Sequence, residues 1–246
     1  MNILKKIQEY CTRYDIAINY LLDVISDLKV IPMIRGKSFE FSVSDLLKSN
    51  LSKDWKVENL NINAQQGTHD IDVQITRIID KKKIRVECKL TKNDSFQITK
   101  DGAEIRVKCM RSRTFSDNPA ATRMATHYGI DRVQLLIHAD SYREQDFDFV
   151  ITSLGNSMWT TIDGKYTFNG NIEQFNLLKK MFPNDFKDFK KFQQEAFNFL
   201  VFSKSSDLIA SANNNLKCTR KKCRDKGTDT NCGFIPNYPI INLNDI

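Results

Sequence analysis

The chain has 246 residues, 41% of them hydrophobic and 27% charged, with 9 Gly and 5 Pro. That is enough for one substantial core, and it excludes disordered, collagen-like and low-complexity compositions. No run of about 18 apolar residues occurs and charges are scattered through MNILKKIQEY, so no membrane span or secretory leader is expected. Lysine and arginine outnumber acids 37 to 30, a net +7 that favours polyanionic partners.

From Ile3 to Val30 apolar residues recur every three or four positions, which predicts one long helix or two short ones with a buried face. Pro32 and Gly36 punctuate the pattern. A second amphipathic helix is expected over Lys37 to Leu47, with Glu40 beside its apolar stripe of Phe39, Val43, Leu46 and Leu47. Alternation of apolar and polar residues predicts strands over Trp55 to Ile62, Asp70 to Ile79 and Ile84 to Leu90, with a turn at Lys81-Lys82-Lys83. Val133 to Ile137 and Phe147 to Thr152 supply later strands, and Asp101 to Thr126 reads as no more than partial helix. Ile172 to Phe202 carries an aromatic stripe at helical spacing, broken into two helices by Pro183, and such a stripe is read as core. Residues 1–212 are taken as one α/β domain with N-terminal helices. Residues 213–246 form a basic, cysteine-bearing, irregular extension.

The chemistry is concentrated in Gly67-Thr68-His69-Asp70-Ile71-Asp72-Val73 and Arg85-Val86-Glu87-Cys88-Lys89-Leu90. Period two puts Glu87 and Lys89 on one face of their strand, with Val86, Cys88 and Leu90 on the other. Asp72 lies fifteen residues before Glu87, a separation a hairpin can close. Charges aimed into a shared site from apolar strands are costly unless compensated, and a divalent cation would compensate them. Asp72 and Glu87 offer the hard oxygens that suit Mg²⁺, Glu40 adds a ligand or orients a metal water, and Lys89 is placed to hold water or phosphate.

In this order the residues resemble the PD-(D/E)xK nuclease superfamily, the fold of many type II restriction endonucleases, over roughly Lys37 to Leu90. The likeness is weaker over Arg132 to Thr161. The resemblance implies a central mixed β-sheet flanked by helices, Mg²⁺ dependence, and hydrolysis to a 5′-phosphate and a 3′-hydroxyl. Asp72 takes the place of the acid that opens a strand, Glu87 the D/E position and Lys89 the lysine, while Glu40 corresponds to a helix glutamate common in several such families. His69-Asp70 stands where proline-aspartate is often written, so Asp70 is an alternative or second ligand. Asp72 is favoured because apolar residues follow it at once. The reading is a bacterial cytoplasmic type II restriction endonuclease cutting double-stranded DNA, most simply as a homodimer. A structure-selective or repair nuclease, or an inactive DNA-binding protein, are the alternatives.

Arg106, Lys108, Arg111 and Arg113 follow the candidate site closely and are read as duplex contacts. Neither a P-loop nor a Rossmann glycine pattern is present, so no nucleotide cofactor is expected. Cys218, Cys223 and Cys232, spaced by four and eight residues, could begin a zinc site. No fourth cysteine or histidine lies near them in sequence, so a basic tail with free or buried cysteines is expected instead. Cys11, Cys88 and Cys109 are read as core residues.

Overall fold

The computed structural model describes residues 2–60, 71–91, 94–100, 102–111, 116–117, 119–194, 196–197 and 199–245. Its centre is a five-stranded mixed sheet, in the order β1 (Trp55–Glu58), β2 (Val73–Arg77), β3 (Lys83–Cys88), β6 (Phe149–Ser153) and β9 (Leu200–Lys204). β1, β2 and β3 form an antiparallel meander, β3 and β6 run parallel, and β9 closes the far edge antiparallel to β6. A charged clamp fixes the parallel junction: Asp148 accepts from the Arg85 backbone N–H at 2.7 Å and pairs with the Arg85 guanidinium at 3.2 Å. Helices and strands together are what the periodic segments predicted, and a mixed sheet is what the resemblance implied.

The sheet separates two cores. On one face α3 (Ile31–Asn50) lays Phe39, Val43 and Leu47 over Val57, Val73, Ile75, Val86, Cys88 and Ile151. Phe39, Val43 and Leu47 recur at four-residue steps, so they share one side of the helix. On the other face Val150 and Val201 join a larger core. It is built with the aromatic residues of α6 (Ile172–Met181) and α7 (Phe189–Gln194), together with Tyr142 and Phe147. The aromatic stripe is therefore core, as expected. A three-stranded sheet of β10 (Ile240–Asn242), β5 (Gly102–Arg106) and β4 (Gln97–Thr99) joins that core through Ala103, Ile105 and Ile241. β7 (Trp159–Ile162) and β8 (Lys165–Phe168) make a hairpin beside it.

The structure corrects several sequence expectations. Pro32 and Gly36 do not interrupt α3: the proline occupies its first turn, where its missing N–H has no intrahelical partner to lose, and the helix continues through Gly36. Residues 3–30 form two short helices, α1 (Ile3–Arg13) and α2 (Leu21–Ser26), yet Ile3, Leu4, Tyr10, Tyr14, Leu22 and Leu28 are exposed rather than buried. Periodicity reports that an apolar face exists and is silent on what covers it.

Val133 to Ile137 is a helix, α5 (Arg132–Ile137), not a strand. The Asp131 carboxylate caps it by accepting from the Gln134 N–H at 3.3 Å, a helix-start signal directly ahead of the apolar run. The segment ending at Phe202 also leaves helix early. α7 ends at Gln194, Phe199 adopts a left-handed conformation at φ 55°, and Leu200 onward enters β9. Asp101 to Thr126 holds β5 as well as the start of α4 (Pro119–Tyr128).

In the C-terminal segment, Ile235, Ile241 and Leu243 are fully or nearly fully buried in the larger core, and α8 (Lys221–Asp225) carries Cys223. Among the described residues no helix is long and apolar enough to cross a membrane.

Candidate active site

β2 and β3 pair with Val73 opposite Val86, and continuing that register by one step sets Asp72 opposite Glu87. Residues opposite one another in an antiparallel pair share a face. Asp72 stands just ahead of β2, and one carboxylate oxygen accepts from the Cys88 N–H at 2.8 Å, which ties the strand entrance to the end of β3. Glu87 is buried, 3% exposed, and faces the side of the sheet that holds Val150 and Tyr142. Its Oε1 accepts from the Tyr142 hydroxyl at 2.6 Å and pairs with Lys89 Nζ at 2.5 Å. The Lys89 ammonium lies 5.4 Å from the centre of the Tyr142 ring.

These contacts set the protonation states. Burial pushes the Asp72 carboxyl up to about 8, with Glu87 and Glu40 adding to the rise and Lys89 and the Cys88 N–H opposing it. Burial works against the Lys89 ammonium, but Glu87, Tyr142 and Asp72 outweigh it and hold the amine protonated well above its ordinary value. Lys89 is therefore a donor and a positive charge at neutral pH, not a proton acceptor. Burial, together with the adjacent Glu87, also raises the Tyr142 phenol, so it stays a hydrogen-bond donor.

Asp72 and Lys89 open into a cleft of about 580 Å³ that is also lined by Glu40, Arg35, Lys108 and Arg111. Glu40 projects from α3 and forms an ion pair with Lys37 one turn before it. Three of the predicted residues, Asp72, Glu87 and Lys89, are thus in one interacting cluster, and Glu40 sits at the same cleft. Asp70 lies outside the described residues, as does Arg113.

The basic residues divide. Lys108 is exposed at the cleft. Arg111 reaches it too, but its guanidinium is tied to the buried Asp146 and donates to the Ser141 carbonyl at 2.9 Å. Arg106 is on β5, is not among the residues lining the cleft, and keeps its Nε buried without a hydrogen-bond partner among the described residues.

Four residues at the cleft or the site, Tyr142, Arg35, Asn156 and Tyr166, are not marked by the sequence patterns. Tyr142 belongs to an irregular segment with no periodic signal. Arg35 precedes the helix expected from Lys37 and enters it only because α3 begins at Ile31, with Pro32 tolerated in the first turn. Arg35 donates to Asn156 Oδ1 at 2.7 Å, and its guanidinium lies 3.2 Å above the Tyr166 ring. Tyr166 also donates to Asn156 Oδ1, at 2.7 Å, so this basic group is held in place by one amide side chain and the face of the ring bonded to it.

Comparison with family models, curated proteins and solved structures finds no match to this chain.

The Mg²⁺ expectation draws no support from the geometry: among the described residues Asp72, Glu87 and Glu40 do not gather as a group of ligand atoms close enough together to hold an ion. All three are oxygen donors, and the high Asp72 value reflects burial first, with the neighbouring Glu87 and Glu40 adding to it.

The cysteine reading needs a correction. The sequence offered no fourth ligand near Cys218, Cys223 and Cys232, but the fold brings in His138 from the end of α5, eighty residues before Cys218. The four ligand atoms lie within 4.8 Å of one another, an arrangement able to bind a metal. Short-range spacing had no means of registering a ligand that remote.

Proposed function

We propose that the chain is a Mg²⁺-dependent nuclease of the PD-(D/E)xK kind, and specifically a type II restriction endonuclease that hydrolyses both strands of DNA at a defined sequence. The observation that carries this reading is the convergence of Asp72, Glu87 and Lys89 from two paired strands at the edge of a basic cleft, with Glu40 presented by the preceding helix. A central mixed sheet with helices beside it is also what the resemblance implies.

Asp72 and Glu87 would hold the cation, with Glu40 as a further ligand or orienting acceptor. When bound, the cation supplies charge neutralisation at the phosphate and a more acidic water. The Lys89 ammonium donates to a non-bridging phosphate oxygen and stabilises the negative charge that grows there as the P–O bond breaks. Tyr142 fixes the Glu87 carboxylate. Arg35 and Lys108 meet flanking phosphates. Cutting both strands calls for two copies, and the exposed apolar arm of α1 and α2 is the surface on which the second copy would pack.

The test is incubation of unmethylated plasmid with the purified chain and Mg²⁺, beside EDTA and an Asp72→Asn variant checked for folding by circular dichroism. Discrete fragments whose ends share one short motif, lost in both controls, are expected. Intact plasmid despite tight duplex binding would overturn the restriction reading.

A further inference from the structure

We propose that His138, Cys218, Cys223 and Cys232 form a structural zinc site that clasps the C-terminal segment to the end of α5. This goes beyond the nuclease reading and does not depend on it.

The four ligand atoms are grouped closely enough for one ion to bind all of them. His138 Nε2 is 3.4 Å from Cys218 Sγ and 3.2 Å from Cys223 Sγ, and Cys232 Sγ lies within the same 4.8 Å group. Zinc–sulfur bonds of about 2.3 Å and a zinc–nitrogen bond of about 2.0–2.1 Å place tetrahedral ligand atoms roughly 3.5–3.8 Å apart, so atoms already within 4.8 Å of one another reach that spacing by moving about 1 Å or less. The histidine is prepared for the role. Its Nδ1 lies 2.9 Å from the Gln134 carbonyl oxygen, a contact that places the proton on Nδ1 and leaves the Nε2 lone pair facing the thiols. The ring is buried and stacked on Phe234, with centroids 4.1 Å apart and planes 3° from parallel. That stacking fixes its orientation.

Ligand chemistry selects the metal. Three soft thiolates and one imidazole suit Zn²⁺ over Mg²⁺ or Ca²⁺, and four protein ligands leave no open position for a substrate, which marks the site as structural. Three thiolates around Zn²⁺ leave one negative charge, and the segment from Lys217 to Arg224 carries five lysines and arginines to balance it.

The clasp has a mechanical consequence. His138 is four residues before Tyr142, and the intervening segment is pinned to the C-terminal chain by the Arg220–Asp140 ion pair and by the Ser141 hydroxyl donating to Asn237 Oδ1 at 3.2 Å. The metal would hold together the two chain segments whose packing sets where Tyr142 lies.

The experiment measures metal in protein purified under reducing conditions from zinc-replete cells, by elemental analysis, with Cys232→Ser and Cys11→Ser variants beside it. About one zinc per chain is expected in the parent and in Cys11→Ser, with the content falling well below stoichiometric in Cys232→Ser. Replacing zinc by Co²⁺ should give the visible bands of a tetrahedral thiolate site, and zinc should protect Cys218, Cys223 and Cys232 from alkylation. Absence of zinc together with no cobalt spectrum after full reduction would overturn the proposal. So would a Cys232→Ser variant that keeps stoichiometric zinc.

Discussion

The Tyr142 hydroxyl donates to Glu87 Oε1 at 2.6 Å, and the same oxygen carries the ion pair to Lys89. A tyrosine from an irregular segment thus fixes the central carboxylate of the candidate site. Tyr142→Phe keeps the ring and removes only the donor. A hydrogen bond to a charged group contributes about 1.5–3 kcal/mol, so urea unfolding should report a loss in that range, with any cleavage activity falling alongside it. An unchanged unfolding midpoint would show that the bond contributes nothing.

Glu87 and Lys89 form a pair that is hidden on the acid's side and largely hidden on the lysine's, with side-chain exposures of 4% and 22%. Removing one partner of such a pair costs about 3–5 kcal/mol because the other charge is stranded. Lys89→Met should destabilise by roughly that amount and abolish cleavage. Adding Glu87→Gln should restore much of the stability while leaving the protein inactive. Equal instability of the single and double variants, measured by denaturant melts, would contradict the pairing.

The raised Asp72 value predicts a pH dependence of defined sign. Between its ordinary value of 3.8 and about 8, this group is protonated in the folded chain and ionised in the unfolded one, so its contribution falls as pH rises across that window and levels above it. In chelator-treated protein, Asp72→Asn should therefore gain on the parent from about pH 4 to about pH 8. Groups common to both variants cancel in the difference. A stability gap that stays constant with pH would refute the assignment.

Arg35 tests the cleft as a phosphate-binding surface. It is held over Tyr166 and by Asn156 rather than by a carboxylate among the contacts described, so its charge remains available to a ligand. Arg35→Ala should weaken duplex binding in the absence of Mg²⁺ and lower the slope of log affinity against log salt by about one. Fluorescence anisotropy over a salt series measures both quantities, and an unaltered slope would remove Arg35 from the interface.

The N-terminal arm tests the second copy. Leu4 and Leu22 are 63% and 70% exposed, and replacing both by Glu removes apolar surface without opening a cavity. Light scattering should report a dimer for the parent and a monomer for Leu4→Glu/Leu22→Glu at unchanged melting temperature. A monomeric parent would exclude this surface as a dimer contact.

The amino-acid sequence by itself determined the parts whose signals are local. Period-two alternation located β2 and β3 and put Glu87 and Lys89 on one face, because a strand fixes side-chain direction residue by residue. Four-residue steps located α3 with Glu40 beside its buried stripe, and helical spacing identified the aromatic core of α6 and α7. The tertiary structure decided what depends on contacts between distant segments. It turned Val133 to Ile137 into a capped helix and drew Leu200 to Lys204 into the sheet, where pairing with β6 supplied the backbone hydrogen bonds. It left the N-terminal apolar face uncovered and brought Tyr142 to Glu87 and His138 to three cysteines. Those meetings carry no sequence period, since each is made by chain segments that pack together only once the two cores have formed.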